Sequence, residues 1–365
     1  MSAVLPAPPP DLPRAAGPRP RPGQAWFRGA HASGVLEHVD LRVEPDALDR
    51  GGWWAVVAEF DGPIHAWRFA RLDTGRRVVS EAGRWSGPRA TDWTSSMDRE
   101  RYLRAVAHVR AAVRDGTVYQ VNVCRELSAP MARRPDAAAL AVRLARGNPA
   151  PYAAMLDVPG DHPGDPGSWI VSASPELSVE VSDGHLVSGP IKGTAERESG
   201  LLAKDRAENV MITDLVRNDL HQVCEPGSVT VTDLLRVEHH PGLVHLVSRV
   251  RGRLREDPAT HPGAWAKILA ATHPPGSVSG APRSTALRLI DELEPVRRGP
   301  YCGQIGWIDA DRGTARLAVG IRTFWWDAQR LRFGTGAGIT WGSDAGQEWA
   351  ETELKAARLI ALTNG

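Results

Sequence analysis

The stretch LSVEVSDGHLVSGPIKGT, residues 177–194, decides the fold class. Apolar and polar residues alternate on both sides of Asp183-Gly184, a dipeptide that favours a tight turn between strands. The pattern predicts two neighbouring strands, each with one face toward a core. Lys192 lies near the end of the second strand and precedes Gly193.

Further strand patterns lie on both sides of this stretch. They are GWWAVVAEF and IHAWRF (within 52–70), VYQVNVCREL (118–127), SWIVSAS (168–174), GSVTVTDLLRVE (227–238), YCGQIGWI (301–308), ARLAVGIRTFWW (315–326) and RLRFGTGAGIT (330–340). In VYQVNVCREL, Tyr119 and the apolar residues at i+2 and i+4 should face the core. Gln120 lies on the opposite, polar face, which is suited to line a cavity.

Helical spacing is found in five segments. One runs from Ser95 or Ser96, either of which can cap it, to Gly116, and the others cover about 201–220, 263–272, 283–292 and 345–362. Clustered strands flanked by helices, without regular βαβ alternation, predict an α+β fold with an antiparallel sheet.

The composition excludes several classes of protein. The 44 basic and 43 acidic residues nearly balance, which argues against a nucleic-acid partner. The three cysteines form no CxxC pair, and no apolar run approaches the roughly 20 residues of a membrane-spanning helix. Residues 1–24 are rich in proline and lack the apolar centre of a secretory signal, so a disordered leader and a cytoplasmic protein are expected.

Two of the predicted helices carry acidic pairs. Asp205 and Glu208 continue the apolar stripe of the helix at 201–220, where a charge points inward and is costly without a partner. Glu348 and Glu351 share a face of the last helix with Lys355. Two such pairs can hold a hard divalent cation, but the same spacing is more common on solvated faces and in salt bridges.

The other candidates also have two interpretations. A lysine at a strand end, such as Lys192, is usually solvated, and a nucleophilic role requires a pocket that frees its amine. Tyr301 and Arg322 are residue types that bind carboxylates or act as structural partners. The glycine-rich runs 274–282 and 333–340 have no phosphate-loop lysine; they either make turns or let backbone N–H groups approach a carboxylate.

Taken in order, the motifs resemble those of the chorismate-binding enzymes. This family includes anthranilate synthase large subunits, aminodeoxychorismate synthase component I, and isochorismate and salicylate synthases. The motifs are YQVNVCREL, SASPELSVEV, SGPIKGT, KDRAENVMITDLVRNDL, EPGSVTVTDLLRVEHHPGLVHLVS, PPGSVSGAP, YCGQIGWI, AVGIRTF and GAGITWGSDAGQEWAETELKA. The likeness covers about 95–365, which would be the chorismate-binding catalytic domain, preceded by a shortened N-terminal subregion at 25–94.

The resemblance implies an α+β fold of two stacked antiparallel sheets ringed by helices, with chorismate and Mg²⁺ between them. Lys192 would be the covalent nucleophile, Glu176 the general acid for the departing 4-hydroxyl, and His245 a group near that hydroxyl. The metal site would consist of Glu208 and Glu351, with Asp205 and Glu348 helping directly or through water. The substrate-binding positions would be Gln120, Thr194, Tyr301, Arg322, Gly336, Gly338 and Lys355.

Two positions separate the subfamilies. Isochorismate and salicylate synthases resemble one another in having a lysine that activates water at the position of Gln120 in this chain. Anthranilate synthases usually have the sequence PIAGT where this chain has PIKGT. PIKGT is similar to aminodeoxychorismate synthases, in which the lysine attacks C2 of chorismate and ammonia then attacks C4 and expels it. The expected product is 4-amino-4-deoxychorismate. Because the sequence contains no glutaminase-like segment, ammonia is expected to be free or to come from a separate glutamine amidotransferase subunit.

The chain departs from the family pattern at two places. After Thr194 the run AERESGLLA is short and Arg197 is displaced, which puts the closure of this loop in question. The N-terminal portion, where the family's tryptophan pocket lies, is also short, so feedback inhibition is not expected. Two alternatives stay open: anthranilate or 2-amino-2-deoxyisochorismate synthesis on the same scaffold, and a non-catalytic chorismate-binding subunit.

Overall fold

The computed structural model describes residues 19–75, 83–160, 162–195, 197–201, 203–240, 243–327 and 329–365. Within these ranges the strands are β1 (Arg21–Phe27), β2 (Ala30–Asp40), β3 (Trp53–Ala58), β4 (Ile64–Thr74), β5 (Thr94–Ser95), β6 (Gln120–Pro130), β7 (Tyr152–Val158), β8 (Ser168–Ser174), β9 (Leu177–Ser182), β10 (His185–Gly189), β11 (Ile191–Ala195), β12 (Thr230–His240), β13 (Leu243–Arg253), β14 (Gly280–Ala281), β15 (Gln304–Asp309), β16 (Thr314–Val319), β17 (Thr323–Trp326) and β18 (Arg330–Ile339). The helices are α1 (Arg99–Arg114), α2 (Ala137–Gly147), α3 (Ala203–His221), α4 (Ala264–Thr272), α5 (Gly276–Ser279), α6 (Arg283–Leu293) and α7 (Ala345–Thr363).

The strands form one continuous antiparallel ladder. Its order is β12, β13, β10, β9, β16, β15, β3, β4, β2, β1, β7, β8, β17, β18 and β6. β11 also pairs with β13, and β5 and β14 pair with β6. The hairpin predicted around Asp183-Gly184 is β9 and β10, and it ends at Pro190, which separates β10 from β11.

The ladder bends back on itself and makes two stacked layers. Ala55 of β3 and Ile305 of β15 belong to the same buried cluster as Leu156 of β7 and Ile170 of β8, although these strands lie far apart in the ladder. Packing between distant strands requires the two parts of the sheet to lie face to face. The predicted α+β class with stacked antiparallel layers is therefore confirmed.

The helices cover the ladder on its outside. α3 packs Ile212 and Val216 into a core that also contains Val179 of β9 and Val250 of β13. At the other end, the Tyr102 hydroxyl of α1 donates to the carbonyl of Val123 at 3.2 Å. The ring of Tyr102 contacts Trp349 of α7. Helices α3 and α7, which carry the acidic pairs, are thus each fixed to the sheet. No helix among the described residues is both long enough and apolar enough to cross a membrane.

Four local predictions were wrong or incomplete. α1 begins after Asp98, whose side chain accepts a hydrogen bond from the backbone N–H of Arg101, so the predicted caps at Ser95 and Ser96 lie too early. Tyr119 was predicted to face the core, but it lies outside β6, which begins at Gln120, and it is 67% exposed. The strand itself buries both of its faces. β1 begins at Arg21, inside the predicted leader 1–24, whose first 18 residues lie outside the described ranges. The alanine-rich α2 has no counterpart among the predicted helices.

Candidate active site

Lys192 is presented by an irregular part of β11. The register between β11 and β13 shifts between Ile191 and Thr194. The Lys192 ammonium donates a hydrogen bond to the carbonyl oxygen of Ser277 at 2.9 Å. Gly193 has a φ of +80°, and a Cβ at this position would lie 2.8 Å from Cβ of Asp205. Glycine at 193 therefore lets the strand turn just after Lys192 and lie close to the start of α3.

Gln120 and Gly338 lie beside this lysine. A side chain at Gly338 would overlap the amide nitrogen of Gln120, and its Cβ would lie 3.4 Å from Nζ of Lys192. Gln120 is buried, and its Oε1 has no hydrogen-bond partner among the described residues. The structure thus brings these three predicted residues together, and the space that Gly338 leaves is occupied by the two polar side chains.

Glu176 is a buried acid that shares a partner with Lys192. It lies between β8 and β9 and is 3% exposed. Burial raises the pKa of its carboxyl, while a hydrogen bond with the Ser277 side chain and the positive charge of Lys192 oppose the rise. A carboxyl with a raised pKa keeps its proton to higher pH, as a general acid requires. Ser277 therefore accepts a hydrogen bond from the amine through its carbonyl and lies beside the acid in the lining of one cavity.

His245 and Thr194 are neighbours across the ladder. His245 lies buried on β13, opposite Thr194 of β11, which is two residues from Lys192. The backbone of Thr194 is described, but its side chain lies outside the described part of the structure. Its predicted contact with the substrate remains a prediction.

Helices α3 and α7 bring the four predicted acids into mutual electrostatic reach. Burial raises the pKa of Glu208; Lys192 opposes this, while Glu348 and Asp205 add to it. Burial also raises the pKa of Glu348, against a hydrogen bond with Ser343, and the charge of Glu351 adds to the rise. Carboxylates of one helix thus perturb those of the other, so negative charge accumulates between the two helices.

Lysines occupy part of this acidic region. Lys355 Nζ lies 2.7 Å from Glu351 Oε1 and donates to the carbonyl of Gly336 at 2.9 Å. This ammonium lowers the pKa of Glu351 although burial opposes it. Lys204 Nζ lies 3.6 Å from Glu348 Oε1, an atom without a hydrogen-bond partner in the described ranges. No three acidic, histidine or cysteine side chains of the described residues are preassembled in the geometry of a metal site.

Arg322 is a cation that forms no ion pair with any residue that the structure describes. It lies between β16 and β17 with a φ of +52°, which is unusual for a residue with a side chain. Burial lowers the pKa of its guanidinium, and the charge of Glu176 opposes this. Across the ranges that the structure describes, the guanidinium has no hydrogen bond and no ion pair. A half-buried guanidinium in this state is suited to bind a carboxylate in bidentate fashion.

Tyr301 is placed differently from Arg322. Its ring fills the space above Gly334, and its hydroxyl lies 3.8 Å from the Sγ of Cys124. Burial raises the pKa of this hydroxyl well above the usual range. No hydrogen bond of the described residues joins Tyr301 to Arg322, so the structure does not pair the two predicted carboxylate-binding side chains.

Two residues of this region were missed by the sequence analysis. Ser277 belongs to α5 within PPGSVSGAP, a run interpreted only through its glycines; its serines were the available signal. Lys204 precedes Asp205 and lies four residues before Glu208, an i,i+4 pair that should have been noted on a predicted helix. The run after Thr194 forms a short 3₁₀ turn at Glu198–Gly200, and Glu196 and Leu202 lie outside the described residues.

The fold and the site together define a class. Two stacked antiparallel layers carry a buried acid, a lysine bonded to a nearby serine, an acidic region and an arginine with no ion pair among the described residues. This set of groups suits a small ligand with several carboxylates. Residues 70–361 match the family model described as chorismate binding enzyme. The chain belongs to this family.

Its relatives include enzymes with two different names. Over 323 residues the chain is 37% identical to anthranilate synthase component 1 1 of Haloarcula marismortui, covering 83% of this chain and 63% of the relative. Over 280 residues it is 38% identical to aminodeoxychorismate synthase component 1 of Klebsiella aerogenes, covering 73% of this chain and 59% of the relative. The matched region thus spans about three fifths of each of these relatives.

Solved structures support the fold. Anthranilate synthase component I of Streptococcus pneumoniae superposes with a TM-score of 0.72 at 23% identity, covering 99% of this chain and 95% of that one. The menaquinone-specific isochorismate synthase of Escherichia coli gives a TM-score of 0.74 at 19% identity, covering 96% of this chain and 90% of that one. At these identities the likeness defines the fold and not the reaction.

Proposed function

We propose that this chain is component I of an aminodeoxychorismate synthase, which aminates chorismate at C4 with ammonia to form 4-amino-4-deoxychorismate. The observation that carries the proposal is the contact of Lys192 and Glu176 with the same residue, Ser277. It supports a nucleophile and a proton donor that act on one substrate at the same time.

In the proposed reaction, the amine of Lys192 forms a bond to C2 of the ring. The two ring double bonds shift, and the C4–O bond breaks as Glu176 gives its proton to the oxygen, which leaves as water. Ammonia then attacks C4, the double bonds shift back, and the Lys192 amine leaves C2. Glu176 can regain the proton that the new C4 amine loses. One difficult substitution is thereby divided into two easier ones.

Gln120 supports amination over hydration. In place of a basic lysine this chain has a neutral amide that cannot deprotonate water for attack at C2. The buried Oε1 of Gln120, which has no partner among the described residues, is free to accept a hydrogen bond from a bound ligand. This favours an amination over an isochorismate-type reaction.

The cationic groups suit the carboxylates of chorismate. Arg322 would hold the enolpyruvyl carboxylate, together with backbone groups at Gly336 and Gly338. Lys355, which already contacts the carbonyl of Gly336, would contribute positive charge beside it. Tyr301 would support this wall through its packing on Gly334.

A divalent cation fits the acidic region in charge and in donor type. Burial raises the pKa of both Glu208 and Glu348, and Glu348 Oε1 has no hydrogen-bond partner among the described residues. Mg²⁺ prefers such carboxylate oxygens, with Glu208 and Glu351 as ligands and Asp205 and Glu348 helping directly or through water. A bound Mg²⁺ would neutralise the carboxylate on the ring and polarise it for attack at C2.

The ammonia would be free or come from a separate glutamine amidotransferase subunit. An anthranilate synthase is the second candidate, because a relative of that name is as similar as the relative named aminodeoxychorismate synthase. The test is to incubate the protein with chorismate, Mg²⁺ and an ammonium salt and to identify the product by mass spectrometry. We expect 4-amino-4-deoxychorismate; fluorescent anthranilate would favour the second candidate.

A further inference from the structure

A small cavity with both polar and apolar groups in its lining lies behind Glu176. Its volume is about 20 Å³, which is room for about one water molecule. Its polar lining consists of Glu176, Ser178, Ser188, Asp219, Thr272 and Ser277. None of the residues that approach Lys192 from β6 or β18 lines it, so Glu176 and Ser277 separate this cavity from the space around the lysine.

The lining favours water in this cavity. Oε1 of Glu176 is buried and has no hydrogen-bond partner among the described residues. The amide of Gln304 donates to Ser178 Oγ at 2.7 Å, which leaves the Ser178 hydroxyl proton for another acceptor. Apolar cavities stay dry, whereas a cavity with several polar groups and room for at least one molecule holds water.

The far end of the cavity approaches the surface at an ion pair. Asp219 of α3 is buried and contacts the guanidinium of Arg283, the first residue of α6. The Arg283 side chain is 22% exposed, so the pair reaches from the cavity to solvent. This ion pair therefore lies between the cavity and solvent.

We propose that this cavity is a water site that receives the molecule released from C4 and holds it behind Glu176. The inference rests on the proposed function, in which the 4-hydroxyl leaves as water while the Lys192 adduct forms. The Glu176 carboxyl proton moves to the departing oxygen, the C4–O electron pair stays on that oxygen, and Glu176 becomes a carboxylate. Held there, the water stays close to Glu176 and does not mix with solvent before ammonia attacks.

Ser188 offers a matched pair of variants. Its hydroxyl has no hydrogen bond among the described residues, and it lies on β10, where valine is well tolerated. Ser188→Val fills part of the cavity, while Ser188→Ala removes the hydroxyl and leaves the space open. Each protein is incubated with chorismate and Mg²⁺ in H₂¹⁸O without ammonia. The measured ratio is ¹⁸O incorporated at the 4-oxygen of recovered chorismate against the Lys192 adduct formed.

In the wild-type protein and Ser188→Ala, the released water stays near Glu176 and returns, so the ratio is low. In Ser188→Val, the water must leave past the substrate and mix with solvent, so we expect the ratio to rise at least fivefold. Because it is normalised to the adduct, partial unfolding of a variant does not change it. An unchanged ratio, including zero in all three proteins, would overturn the proposal. The product with ammonia, identified in parallel, tests the proposed function separately, since either amination at C4 or C2 releases the same water.

Discussion

The Lys192 ammonium lies 2.9 Å from the carbonyl oxygen of Ser277, and the side chain of the same serine lowers the pKa of the buried Glu176. A short helix, α5, thus lies between Lys192 on β11, the proposed nucleophile, and Glu176 between β8 and β9, the proposed acid. Since Lys192 is hydrogen-bonded to a neutral carbonyl, its amine is held without being tied to a carboxylate.

The hydrogen bond between Ser277 and Glu176 should be visible in the pH dependence of kcat. Glu176 must carry its proton to act as an acid, so activity falls as pH rises through its pKa. The Ser277 hydrogen bond lowers that pKa. Ser277→Ala should therefore raise it and move the alkaline limb to higher pH. Ser279→Ala is the control, because that hydroxyl bonds backbone carbonyls of its own helix. A limb that does not move, or moves to lower pH, contradicts the assignment of Glu176.

Glu348→Gln should separate metal binding from stability. In the folded wild-type protein, burial raises the pKa of Glu348. The stabilisation that comes from this carboxyl is therefore present at low pH and lost as pH rises through that pKa. At pH 7 the metal-free variant should therefore unfold at a higher temperature than the wild type, while the Mg²⁺-dependent rise in Tm disappears. Glu292→Gln, on the exposed face of α6, should leave both unchanged. A full Mg²⁺ effect in Glu348→Gln would exclude this acid from the metal site.

Arg322→Gln should weaken chorismate binding without destabilising the protein. Charged hydrogen bonds contribute about 1.5–3 kcal/mol each, so the loss of the guanidinium should raise KM by roughly 10- to 100-fold. The free energy of unfolding should stay equal or increase, since no partner among the described residues is lost. Arg316→Gln removes an exposed ion pair with Glu180 and should change neither quantity by much. An unchanged KM in Arg322→Gln would contradict the carboxylate role.

Gly193→Ala and Gly116→Ala test the close approach of β11 and α3. Both glycines have positive φ values, +80° and +73°, so alanine should cost about 1–2 kcal/mol at either site. At Gly116 no atom lies within 4 Å of the added Cβ, whereas at Gly193 it meets Cβ of Asp205 at 2.8 Å. Denaturant unfolding should show a larger loss for Gly193→Ala, by about 1–3 kcal/mol, and kcat should fall only in that variant. Equal losses of unfolding free energy in the two variants would mean that β11 and α3 do not pack tightly at Gly193.

Much of the fold could be predicted because its elements have clear local patterns. The alternation around Asp183-Gly184 gave the β9–β10 hairpin, and the spacing of Tyr102, Val106 and Val109 gave α1, all three of which are buried. The cap of α1 was misplaced because serine and aspartate are both good caps, and only the structure shows that Asp98 accepts the bond. Tyr119 was misplaced because alternation cannot show at which residue a strand begins.

The site could be predicted only in part. Motif order selected Lys192, Glu176 and the acids as candidates, but not Ser277, because its contact with Lys192 joins residues 85 positions apart in the chain. Nor could spacing reveal that Lys204 and Lys355 lie among the acids, or that Tyr301 faces Cys124 and not Arg322. Such contacts arise from the stacking of the two layers, which local patterns do not encode.

The central claim is that Lys192 becomes covalently attached to C2 of chorismate on the way to a C4 amine. The most direct measurement is mass spectrometry of the intact protein and of the product after brief incubation with chorismate and Mg²⁺, with and without ammonia. We predict an adduct on Lys192 without ammonia, 4-amino-4-deoxychorismate with ammonia, and the loss of both in Lys192→Ala. Undiminished formation of 4-amino-4-deoxychorismate by Lys192→Ala, or anthranilate as the wild-type product, would contradict the claim.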